Sequence, residues 1–434
     1  MNLRPPDIRE RKAIESYQLT ALRALLAELP DNPFYAPRLA AAGLDSNVVS
    51  LDDFRARLPF TFKHELAEDQ RNRPPYGTNL TYPLDRYTRY SQTSATTGRP
   101  LRWLDTPESW DWMVVNWIRV FEAANTTPRD RVFFAFSFGP FIGFWVAFNA
   151  AERMRMLCIP GGGLRTAARL DAILDSEATV LCCTPTYAIR LAEVAAEEKI
   201  SLASSKIRII VAAGEPGASI PATRAHIESA WNGVRVVDHH GMTETGPVTY
   251  ECPERRGVLH AIEAGYICEV IHPETGAPLA AASQCAPDET GELVLTTLGR
   301  AGSPLLRYRT GDLVRPSADS RCACGSDELA LEGGIIGRTD DMLVVRGVNV
   351  YPSAVEDVLR SCGVAEYRVE VGSHLAMSEL KIEVEPPPGI DAAGFVHAVE
   401  AALRNTFALR VSIHAVPPGA LPRFEMKARR WVRL

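Results

Sequence analysis

Apolar residues alternate between two spacings along the middle of the chain. Between residues 107 and 240, runs with helical spacing alternate with short continuous apolar runs, which indicates helices alternating with buried strands. The predicted helices are Trp110–Ala124, Gly143–Met154, Leu170–Asp175, Thr186–Glu198 and Ile220–Trp231. The predicted strands are Val132–Phe136, Met156–Ile159, Thr179–Cys183, Ile207–Ala213 and Val234–Asp238. This alternation is typical of doubly wound, mostly parallel sheets with helices on both faces.

Different patterns flank this region. The segment before Leu58 has helical character, clearest in Ile14–Leu29. Short strand-like runs predict a small β subdomain at about 265–336: Tyr266–Ile271, Gly291–Thr297 and Leu305–Tyr308. After Asp341 the pattern predicts a compact α+β module, with strands Met342–Val345, Tyr367–Val371, Leu380–Val384 and Val411–Val416 and helices Ser353–Cys362 and Ala393–Thr406. We therefore predict an α/β protein with a large N-terminal domain, residues 1–338, and a small C-terminal domain, residues 339–434.

Bulk properties exclude several classes of protein. At 434 residues the chain exceeds one ordinary core, and a net charge of −6 argues against nucleic-acid binding as its main function. The longest apolar run, Val132–Phe148, is short for a membrane span and is interrupted by Gly and Pro. Nine scattered cysteines without a preceding secretory signal favour a reduced, cytoplasmic setting.

Polar segments near predicted strand ends suggest nucleotide chemistry, although each has an ordinary alternative. The hydroxyl-rich loop Thr93–Pro100 can wrap phosphate oxygens, or it can be a solvated loop. The carboxylate of Glu244 suits Mg²⁺ shared with phosphates, or it lies in a helix-starting turn. The carboxylate of Asp312 suits a ribose diol, or it belongs to a simple turn. Without other information, the position of Lys427 among arginines near the C-terminal end indicates only a basic tail.

Two cysteines and two further potential ligands suggest a metal site. Cys322 and Cys324 place two thiolates on one tight turn, while Cys252 and His260 flank another loop. Four such ligands match tetrahedral zinc with no open position, which is a structural site. A C-x-C pair is weaker evidence than paired C-x-x-C motifs, so four unrelated residues remain an alternative. The cysteines in apolar runs read as core residues: Cys158, Cys182, Cys183 and Cys362.

Taken in order, the motifs resemble the adenylate-forming superfamily of acyl-CoA synthetases, in the phenylacetate–CoA ligase family. The resemblance runs from about residue 60 to the end. The segments that carry it are TSATTGRP, AAGEPG, HHGMTETGP, ECPERRGVLH, HPETGAPL, GELVLTTL, LLRYRTGDL, CACG, GRTDDMLVVRGVNVYPSAVEDVL and LPRFEMKARR. The resemblance implies that the C-terminal domain is a mobile lid.

The resemblance also implies roles for individual residues. Those implied to bind ATP or AMP are Thr93, Ser94, Thr96, Thr97, Gly98, Ala213, Gly214, Glu215, Pro216, Asp238, His239, Asp312 and Arg338. Those implied to act in catalysis are Lys427, Glu244 and Thr243, with Glu244 also holding Mg²⁺. Asp340 resembles the hinge of the lid, and Gly347 resembles a residue of the coenzyme A channel. Structural zinc is implied at Cys252, His260, Cys322 and Cys324.

Three positions depart from the family pattern. Ala95 stands where Gly is usual, which would strain the loop by roughly 1 kcal/mol if that position needs positive φ. Arg99 replaces the usual Lys, which keeps the charge but not the shape. Met426 replaces the usual Gly before Lys427. None of the three removes a charged catalytic group.

The implied function is the ATP-dependent conversion of an aromatic carboxylic acid to an acyl-adenylate, followed by transfer to the thiol of coenzyme A. The expected substrate pocket comprises Phe136, Phe141, Tyr187, His240 and Gly241, with core packing as the alternative for aromatic residues in this region. Two alternatives remain: loading of the acid onto a carrier-protein thiol, and a non-catalytic nucleotide-binding homologue. The family also makes a homodimer a possibility, and no nucleic-acid or membrane partner is expected.

Overall fold

The structure is a computed structural model that describes residues 7–93, 99–279, 289–345, 348–374, 377–387, 389–425 and 427–433. Its N-terminal segment is helical, as the sequence predicts. The helices are α1 (Arg11–Glu28), α2 (Ala36–Ala42), α3 (Leu51–Arg57) and α4 (Lys63–Asn72). They pack around a core that includes Leu22, Tyr35 and Phe54. A 3₁₀ turn (Leu84–Arg86) and a two-stranded antiparallel ribbon follow, β1 (Arg89–Gln92) and β2 (Arg102–Asp105).

The predicted parallel sheet is confirmed. Its strands are β3 (Arg131–Phe134), β4 (Leu157–Pro160), β5 (Val180–Cys183), β6 (Ile209–Ala213) and β7 (Arg235–His239), in the order β4-β3-β5-β6-β7. The surrounding helices are α5 (Pro107–Ala123), α6 (Trp145–Arg153), α7 (Thr166–Asp175), α8 (Pro185–Glu197) and α9 (Pro221–Ala230), with a 3₁₀ turn at Leu202–Ser204. Every residue of β5 is buried, as expected for a strand covered on both faces.

Capping residues set where two of these helices begin. The hydroxyl of Thr106 accepts a hydrogen bond from the Ser109 amide at the start of α5, and Thr184 does the same for Tyr187 at the start of α8. Both helices have proline at their first position, where the missing N–H costs no hydrogen bond. The end of β5 therefore turns sharply into α8 beside the carboxyl edge of the sheet.

The β subdomain is larger than the sequence pattern predicts. Six antiparallel strands form it: β10 (Thr249–Glu251), β11 (Val258–Ala261), β12 (Tyr266–Ile271), β13 (Gly291–Thr297), β14 (Tyr308–Pro316) and β15 (Ala330–Arg338). A short hairpin precedes it, β8 (Gly241–Met242) and β9 (Gly246–Pro247). The predicted strand Leu305–Tyr308 ends where β14 begins. Gly311, Gly333 and Gly334 adopt positive φ inside β14 and β15, so register shifts break the apolar alternation there.

The C-terminal region is the α+β module that the pattern predicts. It contains β16 (Leu343–Val345), β17 (Val348–Val350), α10 (Pro352–Ser361), β18 (Glu366–His374), β19 (Met377–Glu385), α11 (Ala392–Phe407), β20 (Ser412–Ala415) and β21 (Trp431–Arg433). Strands β20-β19-β18-β21 form one mixed sheet. Both helices pack on a separate core that includes Leu359, Ile382 and Val399. Within the described ranges, no helix combines the length and apolarity that crossing a membrane requires.

Candidate active site

Asp312 lies at the centre of a buried polar pocket on β14. The residue is 3% exposed, and its Oδ1 accepts a 3.0 Å hydrogen bond from Arg338 Nη1 on β15. The ring of His240 approaches from the other side, with Nε2 3.1 Å from Asp312 Oδ2. Burial by itself would raise the pKa of Asp312, but the electrostatic and hydrogen-bond interactions with His240 and Arg338 outweigh it and lower that pKa. The sequence predicted Asp312 as a ribose contact and Arg338 as an ATP- or AMP-binding residue, and the structure brings the two together.

Thr243 and Glu244 form the turn between β8 and β9. Glu244 is buried, and its Oε1 lies 3.0 Å from the ammonium nitrogen of Lys63 at the start of α4. The turn is held from behind by Arg300, whose Nη1 donates 2.8 Å hydrogen bonds to the carbonyls of both turn residues. Arg300 is itself fixed by Asp105, since two hydrogen bonds of 2.6 and 2.7 Å join the pair.

Three residues that support this turn carry no recognisable sequence signal: Lys63, Asp105 and Arg300. Arg300 and Asp105 have fully buried side chains, and they form an ion pair across 195 positions of sequence. Lys63 also lies far from Glu244 in sequence. Arg300 follows a predicted strand and Asp105 precedes a helix-starting Thr-Pro, which are ordinary settings for surface residues. Only the three-dimensional packing reveals their role.

The carboxyl ends of β6 and β7 contribute the next part of the site. Ala213 and His239 are partners in the parallel register of these strands. Asp238 receives a hydrogen bond from the Ser219 hydroxyl, and burial raises its pKa to about 6. The Nδ1 atom of His239 lies 2.6 Å from the Thr249 carbonyl oxygen, and burial lowers the pKa of His239 to about 3. These side chains are therefore held mainly by protein partners at the strand ends.

A loop after β6 connects the strand ends with the C-terminal region. Gly214 and Pro216 are exposed there, and Gly214 adopts a φ of +99°. The side chain of Glu215 turns towards the protein, where Oε1 accepts a 2.9 Å hydrogen bond from the Thr186 amide. Its Oε2 accepts a 2.8 Å hydrogen bond from the amide of Ala428. The resemblance implies that Glu215 binds ATP or AMP, and in the structure its carboxylate accepts hydrogen bonds from two backbone amides.

Lys427 lies in the cleft between the parallel-sheet domain and the C-terminal region. A Cβ atom placed on Gly214 would lie 3.6 Å from Lys427 Cε, so the lysine stem passes directly over that loop. The residue retains substantial exposed surface, yet the cleft walls partly desolvate the ammonium group and lower the pKa of Lys427. The charges of Glu215 and Glu244 act in the opposite direction. Lys427 therefore belongs to the same electrostatic environment as the predicted magnesium ligand.

Further contacts hold the C-terminal region against the carboxyl edge of the sheet. The Thr166 hydroxyl donates a 2.9 Å hydrogen bond to Glu425 Oε1, two residues before Lys427. The Ala222 amide at the start of α9 donates a 3.2 Å hydrogen bond to Asp357 on α10. With the C-terminal region held in this way, Lys427 lies within electrostatic reach of Glu215, Glu244 and Asp312.

The predicted hinge follows β15 directly. Asp340 accepts a 2.9 Å hydrogen bond from Arg338 Nε, and its side chain is 68% exposed. Arg338 therefore joins two predicted functions, since the same guanidinium also contacts Asp312. An exposed residue at the crossing between domains has room for backbone rotation, as a hinge at Asp340 requires.

Aromatic residues form a wall beside the carboxyl ends of β3 and β7, which we call the aromatic wall. The centroids of Phe136 and Phe138 are 4.0 Å apart, and those of Phe136 and Phe144 are 5.6 Å apart. Trp117 continues the wall at 5.9 Å from Phe144. Phe141 reaches the wall at 6.3 Å from Phe136. The structure therefore places Phe136 and Phe141, two predicted pocket residues, side by side.

Two other predicted pocket residues have different settings. Tyr187 is 1% exposed in the core of the parallel-sheet domain, where its hydroxyl receives a 2.7 Å hydrogen bond from Arg169. This setting favours packing over substrate contact. Gly241 lies where a Cβ atom would come within 2.7 Å of the Gly246 carbonyl oxygen, so the β8–β9 hairpin requires glycine at this position.

The four predicted zinc ligands converge at one point of the β subdomain. The ligand atoms of Cys252, His260, Cys322 and Cys324 all lie within 4.8 Å of one another. The Sγ atoms of Cys252 and Cys322 are 3.6 Å apart, and Cys324 Sγ is 3.4 Å from His260 Nε2. Tetrahedral zinc with Zn–S bonds of about 2.3 Å separates neighbouring sulfurs by about 3.8 Å. The donor set therefore fits zinc.

The second ring nitrogen of His260 is also occupied. Its Nδ1 lies 3.3 Å from the carbonyl oxygen of Glu328, which selects the Nδ1–H tautomer and leaves Nε2 as the ligand atom.

Several remaining predictions lie outside the described residues: Ser94, Thr96, Thr97, Gly98, Gly347, Ala95 and Met426. Thr93 immediately precedes the first of them, and its hydroxyl accepts a 3.0 Å hydrogen bond from the Leu101 amide.

Comparisons with known proteins agree with this arrangement. The sequence profile of the AMP-binding enzyme matches residues 88–300, and that of the AMP-binding enzyme C-terminal domain matches residues 347–433. A phenylacetate-coenzyme A ligase from Thermus thermophilus is 32% identical over 439 residues, covering 96% of this chain and 95% of the relative.

Two solved structures of 2-hydroxyisobutyryl-CoA ligase also match. In the postadenylation state with R3-HIB-AMP, that enzyme is 29% identical, with a TM-score of 0.88 over 97% of this chain and 89% of its own. In the thioesterification state with 2-HIB-AMP and CoA, it is 28% identical, with a TM-score of 0.68 over 98% and 90%. The present domain arrangement therefore resembles the postadenylation state more closely.

Proposed function

The chain belongs to the phenylacetate–coenzyme A ligase family of AMP-binding enzymes, and from that premise we propose that it activates an aromatic carboxylic acid with ATP and transfers the acyl group to coenzyme A. The observation that carries this proposal is the position of Lys427. Its segment is held across the cleft by Glu215, and its ammonium shares an environment with Glu244 and Asp312.

In the first half-reaction, the carboxylate of the acid attacks the α-phosphorus of ATP and pyrophosphate leaves. Both reactants are anionic, so the site must neutralise charge and hold the reacting atoms in line. Lys427 supplies a cation from the C-terminal side. Asp312 orients the ribose, while Arg300 fixes the turn that carries Thr243 and Glu244.

In the second half-reaction, the thiol of coenzyme A attacks the activated carbonyl and AMP leaves. Lys427 has no assigned role in this step. We propose that the C-terminal domain, residues 339–434, rotates about Asp340 and exchanges the Lys427 segment for the one around Gly347. The two half-reactions need different groups at one place, which gives the rotation a chemical reason.

Two metal ions complete the proposal. Glu244 would hold Mg²⁺, which neutralises phosphate charge when bound. Lys63 forms an ion pair with Glu244, so a protein cation also lies beside this carboxylate. Cys252, His260, Cys322 and Cys324 would hold structural zinc, which would tie β11 to the loop between β14 and β15.

A screen for acid-dependent pyrophosphate release tests the proposal. The acids are benzoate, phenylacetate and substituted benzoates, with 2-hydroxyisobutyrate as an aliphatic comparison, each tested with and without coenzyme A. We expect pyrophosphate release with an aromatic acid, and AMP and a CoA thioester when coenzyme A is present. Preference for the aliphatic acid would contradict the aromatic assignment.

The same screen separates the alternatives. Pyrophosphate release that yields a thioester only with a carrier protein would favour the carrier-loading alternative. Absence of release with every acid would favour a non-catalytic nucleotide-binding homologue. A homodimer and a cytoplasmic setting remain predictions of the sequence.

A further inference from the structure

The imidazole of His239 is fixed in a single orientation and tautomer. Its Nδ1 lies 2.6 Å from the carbonyl oxygen of Thr249. A carbonyl oxygen only accepts hydrogen bonds, so Nδ1 must carry the proton. Burial keeps the ring neutral by lowering the pKa of His239 to about 3. The Nε2 atom is therefore a hydrogen-bond acceptor.

This acceptor lacks a partner among the hydrogen bonds of the described residues. His239 as a whole is 3% exposed, and the hydrogen bond of its ring runs from Nδ1, not from Nε2. Polar atoms in such largely enclosed positions are usually paired with protein, water or ligand. The position of Gly241 keeps the approach open, because a Cβ atom there would lie 3.2 Å from Nε2.

His239 belongs to the aromatic wall and not to the ribose pocket. His239 is the last residue of β7, and His240 follows it outside the strand. His240 approaches Asp312. The ring of His239 instead meets the ring of Trp117 at a centroid distance of 4.2 Å, and Trp117 contacts Phe144. One hydrogen-bond acceptor thus lies among aromatic rings, beside the indole N–H of Trp117.

We propose that His239 Nε2 accepts a hydrogen bond from a hydroxyl or amino substituent of the aromatic acid, and so selects hydroxy- or amino-substituted aryl acids. This inference rests on the proposed function, because it assigns the acid to the aromatic wall. A purely hydrocarbon ring would leave Nε2 unpaired, whereas a substituent with a donor would satisfy it. Sites built around such a hydrogen bond discriminate strongly against analogues that lack the donor.

Matched acids test the inference on the unmodified enzyme. Benzoic acids carrying a hydroxyl, amino or methyl group at the same ring position have similar shape, and only the methyl group cannot donate. We expect kcat/KM for pyrophosphate release to be about 10- to 100-fold higher for the donor-bearing acid at the preferred ring position. Equal kcat/KM values within every matched set would overturn the inference, while leaving the proposed function intact.

A variant pair then identifies the residue. His239→Leu should abolish the preference while retaining turnover of the methyl-substituted acid, because leucine has no acceptor to satisfy. Phe144→Leu, in the same wall, should lower turnover of both acids and leave their ratio unchanged. An equal loss for both acids in His239→Leu would assign His239 to packing and overturn the inference. Absence of pyrophosphate release with every acid would instead remove the proposed function, and the inference with it.

Discussion

The carboxylate of Glu215 accepts a hydrogen bond from the backbone amide of Ala428, the residue that follows Lys427, over 2.8 Å. Its second oxygen accepts the amide of Thr186 at the start of α8. One side chain of the N-terminal domain thus fixes the segment that carries the proposed adenylation lysine. Glu215 acts as a positioning residue, because it reaches the chemistry through Lys427.

Substitution Glu215→Gln should slow adenylate formation by about 10- to 100-fold, since one amide hydrogen would face an amino group in place of a carboxylate oxygen. Thioester formation from pre-formed acyl-adenylate should change little, because that step uses the rotated domain. Pyrophosphate release and thioester formation, measured separately, check this. The control is Glu193→Gln, which removes a partly exposed ion pair with Arg423 and should have less than a threefold effect. Equal slowing of both steps in Glu215→Gln would contradict the positioning role.

The pH profile of adenylate formation should decline on its basic side as Lys427 loses its proton. Desolvation lowers the pKa of Lys427 from its ordinary value of 10.5. The ammonium is charged below the lowered pKa, so kcat/KM for pyrophosphate release should be highest there and decline as pH rises through it. The decline should therefore begin below pH 10.5. Thioester formation from pre-formed adenylate should lack this limb, and a shared limb would assign the titration to another group.

The buried pair Arg300–Asp105 should contribute strongly to stability. Removing one partner leaves a charge buried without compensation, which typically costs about 3–5 kcal/mol. Arg300→Met and Asp105→Asn should each lower the free energy of unfolding by roughly that amount, measured by urea denaturation. The matched control is Arg38→Met, which breaks a partly exposed pair with Glu65 and should cost about 1 kcal/mol or less. Similar losses in all three variants would show that burial of the pair does not govern its contribution.

Metal analysis tests the zinc site. The purified protein should contain about one zinc ion per chain, bound by all four predicted ligands. Cys322→Ser should lower the zinc content and the Tm together, because it removes one ligand of a closed site. Cys362→Ser removes a free thiol outside the cluster and should leave the zinc content unchanged. Full zinc occupancy in Cys322→Ser would rule out this ligand set.

The parallel sheet follows from the sequence because its strands are continuous apolar runs between amphipathic helices. Strand β5 illustrates this, since all four of its residues are buried. The β subdomain was harder to predict. Asp312 lies within β14, and Arg338 is the last residue of β15. Positive-φ glycines and polar residues interrupt the apolar alternation of both strands. The antiparallel sheet consequently extends from Thr249 to Arg338, beyond the predicted range of 265–336.

Site residues could be predicted from the sequence where their type and local motif indicate a specific chemical role. The spacing of Cys322 and Cys324 indicates a metal site. The motif around Asp312, which contains Gly311, indicates a functional carboxylate. The supporting residues carry no such signal. Arg300 acts through a partner 195 positions away, and the role of Glu215 depends on an amide 213 positions away. Long-range contacts of this kind arise from the packing of whole domains, which local patterns do not encode.

The most direct test of the account is the separation of the two half-reactions in Lys427→Ala. We expect a loss of at least about 100-fold in acid-dependent pyrophosphate release, because the substitution removes the ammonium charge that assists the first step. Thioester formation from pre-formed acyl-adenylate and coenzyme A should be retained. Lys381→Ala, which alters a solvent-exposed pair with Glu370 in the same domain, should retain both activities. Equal loss of both half-reactions in Lys427→Ala, or loss of neither, would contradict the account.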